Sequence, residues 1–169
     1  MKPVLMIIAP VNFRDEELFD TREEIEKAGL TTVIASAHKG ECQGAGGKTA
    51  IAEISLEEVN PANYEAVVFV GGFGTQVYFE NQTVLQLAKS FAKEGKLTSA
   101  ICIAPIILGK AGLLANKKAT VYETEAGTLQ ALGADYTGSS VTKDGIFITG
   151  NGPSSSREFG QKIADTLTA

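Results

Sequence analysis

The chain has 169 residues, of which 44% are hydrophobic and 21% charged, a composition typical of a globular protein and not of a disordered one. Its length predicts one domain, residues 1–169, and its two cysteines are too few for a disulfide framework. The net charge is −5 with both signs mixed along the chain, which argues against nucleic-acid and membrane partners. Without signal-peptide features or a run of about 20 apolar residues, we expect a cytoplasmic protein.

A strand, a helix and a second strand are predicted at the N-terminus. Residues 4–9 are continuously apolar, which is typical of a strand buried on both faces, and residues 10–14 form the loop after it. Asp15 can cap the helix that follows, and Gly29 ends that helix. Residues 31–36 are rich in β-branched side chains and predict the second strand. Such a βαβ unit indicates a parallel sheet.

Residues 39–47 are polar and glycine-rich and predict a loop. Residues 44–49 within this region resemble the end of a phosphate-binding P-loop, but that motif needs a glycine where Cys42 stands. Residues 50–54 alternate like a strand where the motif requires a helix. No GxGxxG pattern follows the first strand either, so a dinucleotide site is unsupported. We predict no cofactor and no metal site.

The second half repeats the alternation of strands and helices. A strand is predicted at 66–70, followed by glycines at 71, 72 and 74, and then a helix from Asn81 to Gly95. A strand from 97, a helix at 104–110, a short strand at 119–122 and a helix at 125–132 come next. The chain ends with a hairpin of 140–143 and 146–149 around Asp144-Gly145 and a last helix opened by a Ser155–Glu158 capping box. The sum is an α/β fold in which helices sandwich a single doubly wound, mostly parallel sheet with an added hairpin. Flavodoxin-like and class I glutamine amidotransferase-like proteins have this architecture.

Cys102 stands at the corner between the strand from 97 and the helix that has Pro105 in its first turn. The free backbone N–H groups of a helix N-terminus favour a thiolate and can hold an oxyanion on a substrate that the sulfur attacks. The alternative is a buried cysteine that acts as a small hydrophobic residue.

Ligands of open α/β sheets bind at the carboxyl ends of the strands. Glu17, the Gly71-Gly72 pair and Cys102 each follow a predicted strand, so a carboxyl, backbone donors and a thiol can meet there. A protonated Glu17 would donate a hydrogen bond to the thiolate and could shuttle protons. The alternative is a solvated glutamate in the first turn of a surface helix.

Residues 100–105, Ala-Ile-Cys-Ile-Ala-Pro, resemble the nucleophile elbow of the ThiJ/PfpI superfamily, Ala-(Ile/Val)-Cys-x-(Gly/Ala)-Pro. Residues 70–72 resemble its Pro-Gly-Gly turn, and Glu17 falls on its cysteine-partner glutamate. Residues 149–154 with Glu158-Phe159 resemble a C-terminal segment of the DJ/YajL branch, which is the closest branch. The resemblance covers essentially the whole chain.

Four positions depart from the family patterns. The peptidase-like branch has a histidine where Ile103 stands, and the nearest polar residue to its neighbouring-subunit glutamate is Gln76. The DJ/YajL branch has a histidine in the region of Tyr122, which is therefore a secondary candidate, although a phenol of pKa about 10 is a poor base. Ser154 replaces the last glycine of a Gly-Pro-Gly segment.

The resemblance implies cofactor-free, glutathione-independent glyoxalase chemistry on small aldehydes such as methylglyoxal. In this chemistry Cys102 attacks the carbonyl carbon, the N–H groups of Gly72 and Ile103 hold the oxygen, and Glu17 moves protons. The alternative is a non-enzymatic sensor of oxidative stress, or a chaperone, with an oxidisable Cys102. A cysteine peptidase or amidase is less favoured because Ile103 cannot act as a base. A homodimer is also implied.

Two further residues carry minor hypotheses. His38 is the only histidine and lies at the end of the second strand, where a loop role near Lys39 is favoured over a catalytic one. A peptidase would need it within hydrogen-bond reach of Cys102. Cys42 falls in the predicted polar loop, where an exposed thiol would be open to oxidation.

Overall fold

The computed structural model describes residues 1–169. Its strands are β1 (Val4–Ile7), β2 (Val11–Phe13), β3 (Thr32–Ser36), β4 (Gly40–Gly44), β5 (Thr49–Ala52), β6 (Ile54–Ser55), β7 (Ala66–Phe69), β8 (Leu97–Ile101), β9 (Lys118–Ala119), β10 (Asp135–Tyr136), β11 (Val141–Asp144) and β12 (Phe147–Gly150). Its α-helices are α1 (Asp15–Lys27), α2 (Gln82–Lys93), α3 (Pro105–Lys110), α4 (Ala126–Ala131) and α5 (Ser156–Thr168). No helix combines the length and the apolar character that crossing a membrane requires.

The central sheet has seven strands in the order β11-β12-β8-β7-β1-β3-β6, and only the edge strand β11 runs antiparallel to its neighbour. Side chains alternate between its two faces, so Leu5 and Ile7 join one core layer while Val4 and Met6 join the other. The first layer contains the buried residues of α2, α3 and α4, and the second contains those of α1 and α5. The predicted doubly wound α/β fold is confirmed.

Two segments predicted as loops contain strands. Within residues 10–14 lies β2, and within residues 39–47 lies β4, which pairs antiparallel with β5 to form a three-stranded sheet, β2-β4-β5. Cys42 on β4 is fully buried opposite Ala50, whereas Glu41 and Gln43 face solvent. The alternation of buried and exposed side chains that marks a strand was hidden in the sequence, because glycines stand at both ends of β4.

The predicted cap at Asp15 is wrong. The N-cap of α1 is Arg14, and no side chain caps this helix. Asp15 is buried and its carboxylate accepts backbone hydrogen bonds from Gly46 (3.1 Å) and Lys48 (3.0 Å). Asp15 thereby ties the glycine-rich loop between β4 and β5 to the start of α1.

The C-terminal hairpin is confirmed, with its turn one residue later than predicted. Asp144 pairs with Phe147, so Gly145 and Ile146 form the two-residue loop, and Gly145 has the positive φ (61°) that such turns require. The capping box at Ser155 and Glu158 is wrong, because both side chains bind elsewhere. The hydroxyl of Ser155 donates to Asn151, and the carboxylate of Glu158 accepts from Ser140.

Candidate active site

Cys102 lies where β8 ends and just before α3 begins, as the sequence predicts. Its φ is +64°, in the left-handed region that L-residues rarely adopt. Two backbone hydrogen bonds hold this strained corner: the amide of Cys102 donates to Gly150 (2.9 Å), and the amide of Tyr122 donates to the carbonyl of Cys102 (2.7 Å). Strain of this kind is typical of functional sites. The residue is 8% exposed, which is enough to reach the crevice described below.

Glu17 lies in the first turn of α1 with no exposed surface, so the alternative of a solvated glutamate is wrong. Neither carboxyl oxygen of Glu17 has a partner at both the distance and the angle of a good hydrogen bond. The groups that approach the carboxyl are the thiol of Cys102 and the N–H of Gly71. A buried carboxylate with so few donors is costly, which favours the protonated acid.

Gly71 lies between the side chains of Glu17 and Cys102, and because it has no side chain of its own it leaves room for them to approach each other. A Cβ atom on Gly71 would lie 2.5 Å from Oε1 of Glu17 and 2.6 Å from Cβ of Cys102. The acid and the thiol therefore border the same small space at the carboxyl ends of β7 and β8. Only a residue without a side chain leaves them in contact.

The predicted oxyanion donors also converge on the sulfur. The backbone N–H groups of Ile103 and Gly72 lie near the sulfur of Cys102 and act against the rise of its pKa. Gly72 has a φ of +114°, and a Cβ there would lie 2.4 Å from the backbone nitrogen of Arg14. Glycine is thus required at this donor both by conformation and by space.

The acid and the thiol form a coupled pair. Burial raises the pKa of Glu17 to about 8, against the lowering effects of its contact with Cys102, the charge of Arg14 and the N–H of Gly71. Burial also raises the pKa of the Cys102 thiol, and a charged Glu17 raises it further. A neutral Glu17 removes that repulsion and offers its O–H to the sulfur. Both groups therefore keep their protons at neutral pH, and the nucleophile is the minor form in which Glu17 is still protonated and the sulfur is ionised.

Stability should fall as pH rises because of Glu17. The folded carboxyl keeps its proton to about pH 8, whereas an unfolded one loses it near 4.5, so the folded state binds the extra proton between these values. This contribution is complete below the lower value and is lost as pH rises through the upper one, with a limiting slope of about 1.4 kcal/mol per pH unit. Urea unfolding of the wild type and Glu17→Gln from mildly acidic to mildly alkaline pH measures it. Parallel stability curves would contradict the shifted pKa.

The site opens into a crevice of about 450 Å³. Its lining includes four predicted residues, Gly72, Cys102, Ile103 and Tyr122, together with Gln76, and Glu17 lies beneath them. The remaining lining residues were not predicted as site residues, and they are Arg14, Ala45, Phe73, Thr124, Glu125 and Pro153. Two of them had a signal in the sequence, because Phe73 directly follows Gly72 and Pro153 falls in the segment 149–154.

Tyr122 is 42% exposed in this crevice, and its ring packs beside Gly152. His38 is exposed, and its Nδ1 lies 3.3 Å from the carbonyl of Lys39, outside the crevice. Cys42 is fully buried, so the expectation of an exposed, oxidisable thiol is wrong. No group of three or more His, Cys, Asp or Glu side chains is arranged to hold a metal ion.

Comparison with known proteins places this site in a family context. The DJ-1/PfpI family model matches residues 2–166. An uncharacterized protein of Methanocaldococcus jannaschii is 42% identical over 97% of this chain and 82% of its own length. A deglycase of Pyrococcus abyssi is 29% identical over 88% of this chain and 90% of its own. A glutathione-independent glyoxalase of Caenorhabditis elegans is 26% identical over 98% and 89% of the two chains.

The fold has a near-complete counterpart among solved structures. The ThiJ/PfpI domain protein of Brachyspira murdochii superposes with a TM-score of 0.97 at 28% identity. The match covers 99% of this chain and 98% of the other.

Proposed function

The chain belongs to the DJ-1/PfpI family, and we propose that it converts small 2-oxoaldehydes such as methylglyoxal into hydroxy acids without glutathione, using Cys102 as the nucleophile. The observation that carries the proposal is the convergence of Cys102, the buried acid Glu17 and the two backbone donors at one crevice. The names of the glyoxalase and deglycase relatives support it at low identity.

The proposed reaction begins from the form in which Glu17 is protonated and Cys102 has released its proton to solvent. The Cys102 thiolate attacks the aldehyde carbon, C1, and the N–H groups of Gly72 and Ile103 stabilise the oxyanion that forms. Glu17 gives its proton to this oxygen and becomes a carboxylate beside the hemithioacetal. It is then the base that the next step needs.

The carboxylate of Glu17 next moves the C1 proton to C2 through an enediol, while the C1 hydroxyl loses its proton and the C2 oxygen gains one. The result is a thioester of Cys102 with the hydroxy acid. Water hydrolyses it: its hydroxyl bonds to the acyl carbon, its remaining proton returns to Glu17, and the C–S bond breaks to regenerate the thiolate. C1 is oxidised and C2 is reduced by two electrons each, so methylglyoxal and water give lactate with no outside oxidant. The catalytic groups that this reaction uses come from the elbow (Cys102 and Ile103), from α1 (Glu17) and from the turn after β7 (Gly72).

The test is lactate formation from methylglyoxal in glutathione-free buffer. Cys102→Ser should fall to the uncatalysed background, whereas Cys42→Ala, which removes the other thiol from the core behind β4, should retain turnover. Multiple turnovers in the wild type that disappear in Cys102→Ser and persist in Cys42→Ala support the proposal. A wild-type rate no greater than that of Cys102→Ser rejects it for this substrate.

The same donors favour one second candidate, a redox-sensing thiol. Two equivalents of peroxide would convert Cys102 to a sulfinic acid with release of two waters. The sulfinate oxygens would accept hydrogen bonds from Gly72, Ile103 and a protonated Glu17. Stoichiometric gain of two oxygens at Cys102 under mild peroxide, with no lactate formed, would favour this function. A peptidase is disfavoured because His38, the only histidine, lies outside the crevice.

A further inference from the structure

We propose that Arg14 makes this crevice selective for anionic carbonyl compounds, namely 2-oxoaldehydes that carry a carboxylate or phosphate beyond the reacting carbons. The turnover part of this inference rests on the proposed function, but the selectivity of the site for anions does not. Arg14 matched no motif in the sequence, and it takes no part in the proton transfers described above.

The side chain of Arg14 is half-exposed, and Arg14 lines the crevice that contains Cys102. Its Nε is taken by Glu16 at 2.6 Å, and no protein group accepts a hydrogen bond from its two terminal nitrogens. Two parallel N–H donors on a planar group match the oxygens of a carboxylate or phosphate. The side chain is therefore held at one nitrogen and is open at the other two.

The backbone of Arg14 fixes its position relative to the nucleophile. Its amide donates to the carbonyl of Gly71 (3.0 Å), the residue that touches both Glu17 and Cys102. The charge of Arg14 acts electrostatically on both of those side chains. An anionic group bound to the guanidinium would therefore lie at the crevice that also contains the sulfur.

The other charges at the crevice do not cancel this effect at the nucleophile. Glu16 neutralises part of the charge but engages only Nε. Glu125 also lines the crevice, but Arg14 and not Glu125 is among the main electrostatic influences on Glu17. Arg14 is the only cationic residue that lines the crevice. A neutral aldehyde such as methylglyoxal leaves its two terminal donors unused.

Two alkylating agents of the same shape test anion selectivity without any turnover. The rate of Cys102 modification by iodoacetate, divided by the rate with iodoacetamide, measures the preference of the site for a negative charge. Arg14→Gln should lower this ratio about fivefold to tenfold, the effect of one unit charge a few ångströms away. Arg14→Lys should retain most of the ratio, and Glu16→Gln should raise it.

Arg22→Gln is the matched control, because Arg22 is also on α1, pairs with Glu26 and lies outside the crevice. Its ratio should equal that of the wild type. An unchanged ratio in Arg14→Gln, or an equal fall in Arg22→Gln, would overturn the inference. Peptide mapping assigns the modification to Cys102, since Cys42 has no exposed surface.

Substrate comparison then identifies the anion. Turnover of 4,5-dioxopentanoate, which carries a carboxylate, and of 3-phosphooxy-2-oxopropanal, which carries a phosphate, is compared with that of methylglyoxal. The preferred anionic substrate should lose at least fivefold in kcat/KM relative to methylglyoxal in Arg14→Gln. If no aldehyde is turned over but the alkylation ratio still depends on Arg14, the proposed function fails and the anion site stands. If an aldehyde is turned over but the alkylation ratio does not depend on Arg14, the proposed function stands and the anion site is rejected.

Discussion

Glu17→Gln is expected to lose about 10²- to 10⁴-fold in lactate formation while Cys102 stays reactive toward iodoacetamide within about tenfold. Glutamine has nearly the shape of the protonated acid, so it fits the space beside Gly71, and its amide can still donate to the sulfur. It can neither release a proton to the hemithioacetal oxygen nor accept one from carbon. The substitution therefore separates the acid's proton transfer from its contact with the thiol.

Both rates are measured at neutral pH on the same preparations, with Glu23→Gln as control. Glu23 is an exposed glutamate of the same helix, and it pairs with Lys27 and Arg157 away from the crevice. A comparable fall of both rates in Glu17→Gln would show that the acid only holds the thiolate. Unchanged lactate formation would remove Glu17 from the mechanism.

The sequence was sufficient for the fold because the central strands are buried on both faces. A strand such as β1 has no polar positions, so its apolar run is visible without knowledge of its neighbours. The helices between the strands end at glycines, such as Gly29 and Gly95, that have positive φ. These signals are local, and together they are sufficient to indicate a mostly parallel α/β fold, whereas the order of the strands comes from the structure.

The errors fall where long-range contacts override local signals. Asp15 has every local property of a helix cap, yet Gly46 and Lys48, about 30 residues later, supply better-placed donors. The same loop contact places Ala45 at the crevice. Likewise, β4 gains its strand partner only when β5 folds back on it. Such pairings depend on tertiary geometry that no short window of sequence contains.

Part of the site was predictable, because some of its residues are placed by the ends of strands that the sequence reveals. Cys102 and Gly72 follow strands, and the topological rule for open α/β sheets places such residues together. The burial of Glu17 was not predictable, because the first turn of a helix is as often solvated as covered. Its raised pKa depends on that burial, so the sequence alone left open both its protonation and its contact with the thiol.

Gly71→Ala should damage both the stability of the protein and the reactivity of Cys102. The new Cβ would lie 2.6 Å from the carbonyl oxygen of Ile101 as well as against Glu17 and Cys102. Overpacking of this kind costs about 1–3 kcal/mol, and for a chain of this size we expect the melting temperature to fall by roughly 2–12 °C. Because the acid and the thiol must also move apart, alkylation and lactate formation should fall further than stability alone explains.

Gly127→Ala is the control, since Gly127 lies within α4 and a Cβ there would meet nothing within 4 Å. Alanine is the better helix former, so this variant should be as stable as the wild type or slightly more stable. The double variant Gly71→Ala with Glu17→Ala removes one of the three clashes. Shortening Glu17 removes the contact with the carboxyl but leaves those with the carbonyl oxygen of Ile101 and Cβ of Cys102, so only part of the stability should return. Full recovery would mean that the carboxyl alone requires glycine at this position, and no recovery would mean that the contacts with Ile101 and Cys102 do.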